Sequence, residues 1–331
     1  MNRKRVISDP LACERLWKAC IPAYSVSDQW EFRMCFQRHF NNQPCFLVLE
    51  DSKGISGMLP LSHIQHLDMK SFFPGEIWNN KTWIERTQIY AREPGICEEL
   101  LSLCQDRTFL RYMEISDENS SSQLELDEVG YVLYPTLLDY DMANFRQRFS
   151  NKKFKSILKT INTIMEMGGR FHVNRLEDFN LLVKMSIEKF GEESYLFDHR
   201  FRESFRDVMN YLRDKGWLRM ISLELEGEIA AVDLGAVYNR TYTVFLGGVF
   251  SGLPGIAKVM NMHHIDYALQ NRLFKLDFLC GDFHWKKLWH LDPEPLYKLI
   301  TPDLEEKAGI ATDFGHAYQS RNYEQQETIR T

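Results

Sequence analysis

Apolar positions recur along this chain with two periods, and the switches between them predict its elements. Two helical patterns occupy Pro10 to Phe40, the second with Trp30, Met34, Gln37 and Phe40 on one face. Cys45–Leu49 and Ile55–Leu61 read as strands joined by the turn residues Asp51-Ser52-Lys53-Gly54. After an aromatic loop holding Phe72, Phe73, Trp78 and Trp83, Glu93-Pro94-Gly95-Ile96 opens a helix to Cys104, and Phe109–Ile115 is a strand. The longest amphipathic pattern predicts one helix from about Met142 to Met167, with Phe145, Phe149, Phe154, Ile157, Leu158, Ile161 and Met165 along one side and Gly168-Gly169 as its stop. Helices at Leu176–Phe190 and Phe201–Lys215 precede a second hairpin, Trp217–Leu225 and Glu228–Tyr238 around Glu226-Gly227. A β-prone run at Val244–Leu246 follows, then Gly247, Gly248, Gly252 and Gly255, then a helix with Ile256, Val259, Met260, His263 and Tyr267 at helical spacing toward Phe274, and a strand at Phe274–Leu279.

The order of elements repeats. Each half has a hairpin with a glycine turn, a Pro-Gly-Ile that opens a helix, and a strand; Gly54 and Gly227 are 227 − 54 = 173 apart, Pro94 and Pro254 are 254 − 94 = 160, and Phe109 and Phe274 are 274 − 109 = 165. Three motifs in the same order at similar offsets argue for two copies of one α/β unit. The copies differ in charge. Glu93, Glu98 and Glu99 surround the first Pro-Gly-Ile, which suits a helix N-terminus but repels phosphate; no acidic residue lies between Thr241 and His264, and Lys258 falls in the first turn of the second helix. First-turn amides lack partners inside a helix, so the second turn is fit to take a pyrophosphate, the alternative being a packed strand-to-helix turn.

Composition narrows the class. The 331 residues, 44% apolar and 26% charged, suffice for two globular cores, and a net charge of −6 argues against unspecific binding to DNA. No stretch has the length of apolar residues that a membrane span needs, and the basic N-terminus lacks the apolar run of a signal peptide, so the expectation is a cytoplasmic protein. Seven cysteines without a C-x-x-C pair suit free thiols, and His263-His264 without matched carboxylate spacing gives no metal site.

The residues Ser150-Asn151-Lys152-Lys153, the run GWLRMISLELEGEIAAVDLGAVY, the Leu-Pro-Gly turn at 253–255 and DFLCGDFHWKKLW carry a resemblance. From about Phe149 to Trp289 the chain resembles the GNAT-type acyltransferase domain of the CelD-like group, relatives of the Fem-type aminoacyl transferases with two GNAT domains in tandem. That resemblance implies an α/β (α+β) fold of two tandem GNAT-like domains, each a mixed twisted sheet flanked by helices: a degenerate copy at 1–135, an acyltransferase copy at 136–302, and a polar, loosely ordered tail at 303–331. It also implies acetyl-CoA or another acyl-CoA as co-substrate. Phe245, Leu246, Gly247, Gly248 and Val249 would then contact the pantetheine arm and supply an oxyanion donor, while Gly252, Gly255, Ile256, Ala257 and Lys258 would hold the phosphates. The family's aromatic-lysine pair after Gly-Asp is Trp285-Lys286 here instead of the usual Tyr-Lys, which removes a phenol.

For catalysis, strand alternation puts Asp233 on an apolar face with Ile229, Ala231, Gly235 and Val237, a base candidate whose alternative is a carboxylate satisfied by backbone or arginine. Asp282, His284 and Lys286 follow the end of a strand where open α/β sheets bind ligands, and the resemblance makes Lys286 the choice for contacting the acceptor; the alternative is a solvated lysine. Cys280 reads as a buried thiol. Lys152 and Lys153, within a basic cluster that is otherwise the wet face of a helix, and Trp285 are candidates for holding the acceptor: a small molecule or a glycan or peptide precursor, an amine or hydroxyl bound between the copies. Two alternatives remain open: an aminoacyl-tRNA donor, disfavoured because no long helical hairpin is predicted, and a binding module without turnover.

Overall fold

A computed structural model describes residues 2–104, 106–115, 121–250, 254–281 and 283–304. Two compact units result, one of Met1–Gly130, Cys280–Leu288 and Pro293–Thr331, the other of Tyr131–Leu279 and Trp289–Asp292.

The first unit runs β1 (Arg3–Ile7), α1 (Pro10–Cys20), α2 (Trp30–Phe40), β2 (Gln43–Pro44), β3 (Phe46–Asp51), β4 (Gly54–Leu59), β5 (Leu61–Ile64), β6 (Met69–Phe72), β7 (Tyr90–Ala91), α3 (Pro94–Ser102), β8 (Thr108–Met113) and most of β9 (Glu125–Leu133). The predicted hairpin is β3–β4, its turn closed by Gly54 at φ +107 and by Asp51, which accepts from the Lys53 amide. β1 and β7 flank that hairpin antiparallel, and β5 pairs with β2 and β6. β6 and β8 are parallel, Lys70 opposite Thr108 and Ser71 opposite Phe109, with α3 as part of the crossover. The aromatic loop packs into this unit's own interior: Phe73 stacks on Trp30 at 4.8 Å, and Trp83 stacks on Phe36 at 5.9 Å. The strand β1 is an element that the basic N-terminus did not predict.

The second unit runs α4 (Met142–Gln147), α5 (Asn151–Glu166), β10 (Arg170–Val173), α6 (Phe179–Phe190), α7 (His199–Asp214), β11 (Leu218–Leu225), β12 (Glu228–Tyr238), β13 (Thr241–Val249), α8 (Ile256–Gln270) and β14 (Lys275–Asp277). α9 (His284–Leu288) and all but the first residue of β15 (Asp292–Ile300) return to the first unit, where β15 pairs antiparallel with β8. β10 to β13 form an antiparallel meander, β14 lies parallel to β13, and Leu133 and Val132 pair with Leu276 and Asp277 of β14. In the second unit the hairpin β11–β12 and the parallel pair β13–β14 share one sheet, whereas in the first unit the hairpin β3–β4 lies in a sheet with β1 and β7 and the parallel pair β6–β8 in another; in each unit a helix lies in the crossover to the parallel strand.

Several predicted boundaries move. The single helix over 142–167 is two, because Ser150 caps a new helix by accepting from the Lys153 amide. β13 extends the Val244–Leu246 strand at both ends, and β14 is shorter than Phe274–Leu279. Phe274 lies beyond α8 and is exposed. α8 buries Ile256, Val259, Met260, His264, Ile265, Ala268 and Leu269, so His264, not His263, turns fully inward. Its first two turns pack with Ile164 of α5 on Ile221, Leu223 and Leu225 of β11 and Ala231 of β12, an apolar layer that fixes α8 over the sheet.

Candidate functional site

The pairing of β13 sets the geometry. With β12 it is continuous from Tyr238–Thr241 to Ala231–Val249, broken by a bulge in which Leu234 opposes Leu246 and Gly235 opposes Val244, leaving Phe245 as the extra residue. With β14 it is paired only at Thr241–Lys275, Tyr242–Leu276 and Thr243–Asp277. β14 ends there while β13 continues to Val249, so the ladder between the two strands stops at Thr243. The two parallel strands part into a wedge, and exposed Gly247 lies on its open edge. Gly248 faces the opposite side, where a Cβ would stand 3.0 Å from Leu182 and Met185 of α6.

The chain leaves the wedge and enters α8. Gly255 is the N-cap, at φ +100 and ψ −9, a conformation that glycine takes without strain, and no side chain caps the helix. A Cβ there would run into Thr160 Cγ2 of α5, so the glycine also permits the close approach of the two helices. The Lys258 and Val259 amides bond to the Gly255 carbonyl, whereas those of Ile256 and Ala257 have no backbone partner among the described residues. Ala257 and Lys258 are exposed, and the first turn holds no acidic residue. Together these features make a positive, side-chain-poor concavity suited to an anion.

Asp233 lies on the α8 face of β12, opposite Gly247. Its carboxylate is satisfied by a histidine, neither by backbone nor by arginine: His264 Nε2 stands 2.7 Å from Asp233 Oδ2, and the Tyr242 hydroxyl 2.8 Å from His264 Nδ1. A carboxylate only accepts, so Nε2 donates to it; in the neutral tautomer of the imidazole that this selects, the Tyr242 hydroxyl is the donor to Nδ1. All three groups are buried, and burial pushes the Tyr242 phenol well above its ordinary range, keeping it a donor. Beside them Arg219, itself buried and without an ion-pair partner among the described residues, lies 3.2 Å over the Tyr267 ring and donates to His263 Nε2 at 3.2 Å. His263 stacks on Phe171, and burial first, with His264 and Arg219 adding to it, lowers its pKa to about 4. His264, Tyr242 and Arg219 escaped the sequence reading; the available signal was an aspartate on an apolar strand face preceding a helix with paired histidines.

The other candidates fall in different places. Lys152 is exposed; Lys153 is half-buried, its Nζ over the Phe149 ring at 5.6 Å. His284, Trp285 and Lys286 belong to the first unit. His284 is exposed, Trp285 half-buried, and Lys286 is buried, not solvated, its ammonium donating to the Cys280 carbonyl at 2.5 Å. The Cys280 thiol donates to Glu85 at 2.9 Å, and burial, then the Glu85 and Glu128 carboxylates, pushes its pKa far up, as befits an inert thiol. Gly252, Asp282 and the tail from 305 lie outside the described residues.

Residues 151–287 match the model of the acetyltransferase (GNAT) domain, which supports a transferase. Solved structures similar over nearly the whole chain include FemX (TM-score 0.57, 8% identity, 92% of this chain and 100% of that one) and L-PGS from Bacillus licheniformis (0.55, 13%, 93% and 97%). A tandem GNAT protein from the clavulanic acid biosynthesis pathway is also similar (0.50, 11%, 90% and 97%). These likenesses identify the fold as tandem GNAT. No curated protein matches the sequence significantly. No helix among the described residues is long and apolar enough to cross a membrane.

Proposed function

We propose that the second unit transfers an acyl group from a coenzyme A thioester to an amine or hydroxyl. The observation that carries this reading is the parting of β13 from β14 beside the uncapped start of α8. Beyond Thr243, where its ladder with β14 stops, β13 would offer backbone donors and acceptors to the amides of a pantetheine arm, and a thioester oxygen would meet amide donors on the same edge. The pyrophosphate belongs at Gly255–Lys258, where amides, helix dipole and Lys258 all favour negative charge. Asp233 is the group placed to accept the proton that the attacking atom must lose.

Calorimetry with coenzyme A tests the reading. Wild type should bind, and Gly255→Glu, which brings a carboxylate to the phosphate position, should weaken binding by at least about tenfold, the equivalent of ~1.4 kcal/mol. Absence of binding, or binding indifferent to Gly255→Glu, overturns it. Binding of aminoacyl-tRNA in place of coenzyme A would reassign the donor.

A further inference from the structure

We infer that His264 is a positioning residue for Asp233, and that the buried Asp233–His264–Tyr242 chain presents a single carboxylate oxygen, Asp233 Oδ1, to the attacking nucleophile in the wedge. The inference rests on the acyl-transfer reading and adds to it the residues that aim its base.

Three observations carry it. The 2.7 Å bond from His264 Nε2 commits Oδ2, and the 2.8 Å bond from the Tyr242 hydroxyl fixes the ring's tautomer and rotation. Oδ1 is left on the side of Gly247: a Cβ at that residue would stand 2.6 Å from it. Gly247 is exposed and the Asp233 side chain keeps 11% of its surface, whereas His264 keeps none, so the way in from solvent reaches the carboxylate and stops there. The side-chain-free residue on the open edge is thus the one opposite the aspartate. Arg219 closes the far end of the chain, its guanidinium carbon 5.6 Å from the Tyr242 ring centre.

In the reaction the nitrogen of a primary amine forms the bond to the thioester carbon as the C–S bond breaks, its electron pair leaving on sulfur. The nitrogen's proton passes to Asp233 Oδ1 and from there to the thiolate, so the products are an amide and a free thiol and the chain ends as it began. His264 changes no bond. It holds Asp233 in the rotamer that puts Oδ1 toward the wedge, against the alternatives a short carboxylate has on a strand.

The test has a spectroscopic arm and a kinetic one. In protein labelled with 15N-histidine, long-range proton–nitrogen correlation should show His264 protonated at Nε2 and bare at Nδ1, a preference lost in Asp233→Ala. With acetyl-CoA and a panel of amino sugars and amino acids, followed by thiol release, His264→Ala should lower kcat about a hundredfold, the lower end for a misplaced general base, with KM for acetyl-CoA within about threefold. His264→Gln keeps an N–H toward Asp233 and should recover about tenfold of that loss. A His264 protonated at Nδ1, unchanged kcat in His264→Ala, or equal losses in the two variants overturns the inference; the tautomer needs only wild type and decides even where His264→Ala does not fold. Absence of coenzyme A binding by wild type overturns the acyl-transfer reading and the base role together, a failure distinct from a wrong tautomer in a protein that binds.

Discussion

Gly255→Ala measures how much of the site's shape is held by one missing side chain. The residue sits at φ +100, where an alanine costs about 1–2 kcal/mol of backbone strain. Its Cβ would also run into Thr160 Cγ2 and touch Ile164 Cδ1 at 3.4 Å, and forcing α5 and α8 apart costs about 1–3 kcal/mol as overpacking does elsewhere. The variant should therefore lose about 2–5 kcal/mol in urea unfolding. The two parts separate in a cycle with Thr160→Ser, which removes the colliding methyl but keeps the hydroxyl that donates to the Ser156 carbonyl at 3.1 Å. Alone, Thr160→Ser should cost about 0.5–1 kcal/mol for the lost methyl. In the double variant the collision is gone and the strain remains, so the coupling should be about 1–3 kcal/mol favourable. Coupling within about 0.5 kcal/mol of zero would refute the claim that Gly255 is needed for the approach of the two helices. A single variant as stable as wild type would refute the left-handed cap as well.

Two other perturbations probe the same unit. Gly247→Ala should push Asp233 Oδ1 out of the wedge, since a Cβ would stand 2.6 Å from it; acetyl transfer should fall at least about tenfold while coenzyme A binding stays within about threefold, and steady-state kinetics beside calorimetry check this. His263 carries a pKa of about 4 in the fold against an ordinary value near 6.5, so the unfolded chain binds the extra proton first as pH falls. Its contribution is complete above about pH 6.5 and is lost on the way down to about pH 4. At pH 5 the shift corresponds to about 2 kcal/mol, reduced to about 1 kcal/mol for a half-exposed ring, and urea unfolding at pH 7 and pH 5 should show that much more loss in wild type than in His263→Gln.

What the sequence made legible was periodic or punctuated. Both hairpins were visible because turn residues separate apolar runs, and the helix after Gly255 because a glycine cap leads into helical spacing. The break at Ser150 was hidden because α4 and α5 continue one apolar stripe, Phe145 and Phe149 to Phe154 and Ile157, across a capping serine. β1 was hidden because its five residues are mostly exposed and polar, and it is held by pairing with β3, a contact 40 residues away in sequence. The inward histidine was misplaced because α8 is apolar nearly all round, so no stripe distinguishes position 263 from 264. Asp233 could be singled out from strand alternation, but its partners lie on α8 and β13, and no local pattern encodes a bond between residues 31 apart.

The two Pro-Gly-Ile turns separate further in three dimensions than in charge. α3 starts at Pro94, one residue before its glycine, and Gly95 has ordinary backbone angles, whereas α8 starts after Gly255 in the left-handed conformation. At the first turn Ile96 sits on the sheet so closely that a Cβ on Gly57 of β4 would run into it, and Glu93 and Glu98 stand exposed around the helix start. The parallel strands differ more. β6 pairs with β8 at Lys70 and Ser71 and ends at Phe72, one residue later. β13 pairs with β14 at Thr241–Thr243 and runs on through Val244–Val249, six residues beyond that ladder. An edge needs unpaired length before it can bind an extended arm, and a helix start needs free amides without carboxylates before it can bind phosphate. In the first unit the parallel strand stops one residue past its ladder and carboxylates stand at the helix start, so under the acyl-transfer proposal only the second copy would offer the binding edge. Reversing the charge at Glu93 and Glu98 would therefore not create a coenzyme A site there, because the strand that should carry the arm is too short.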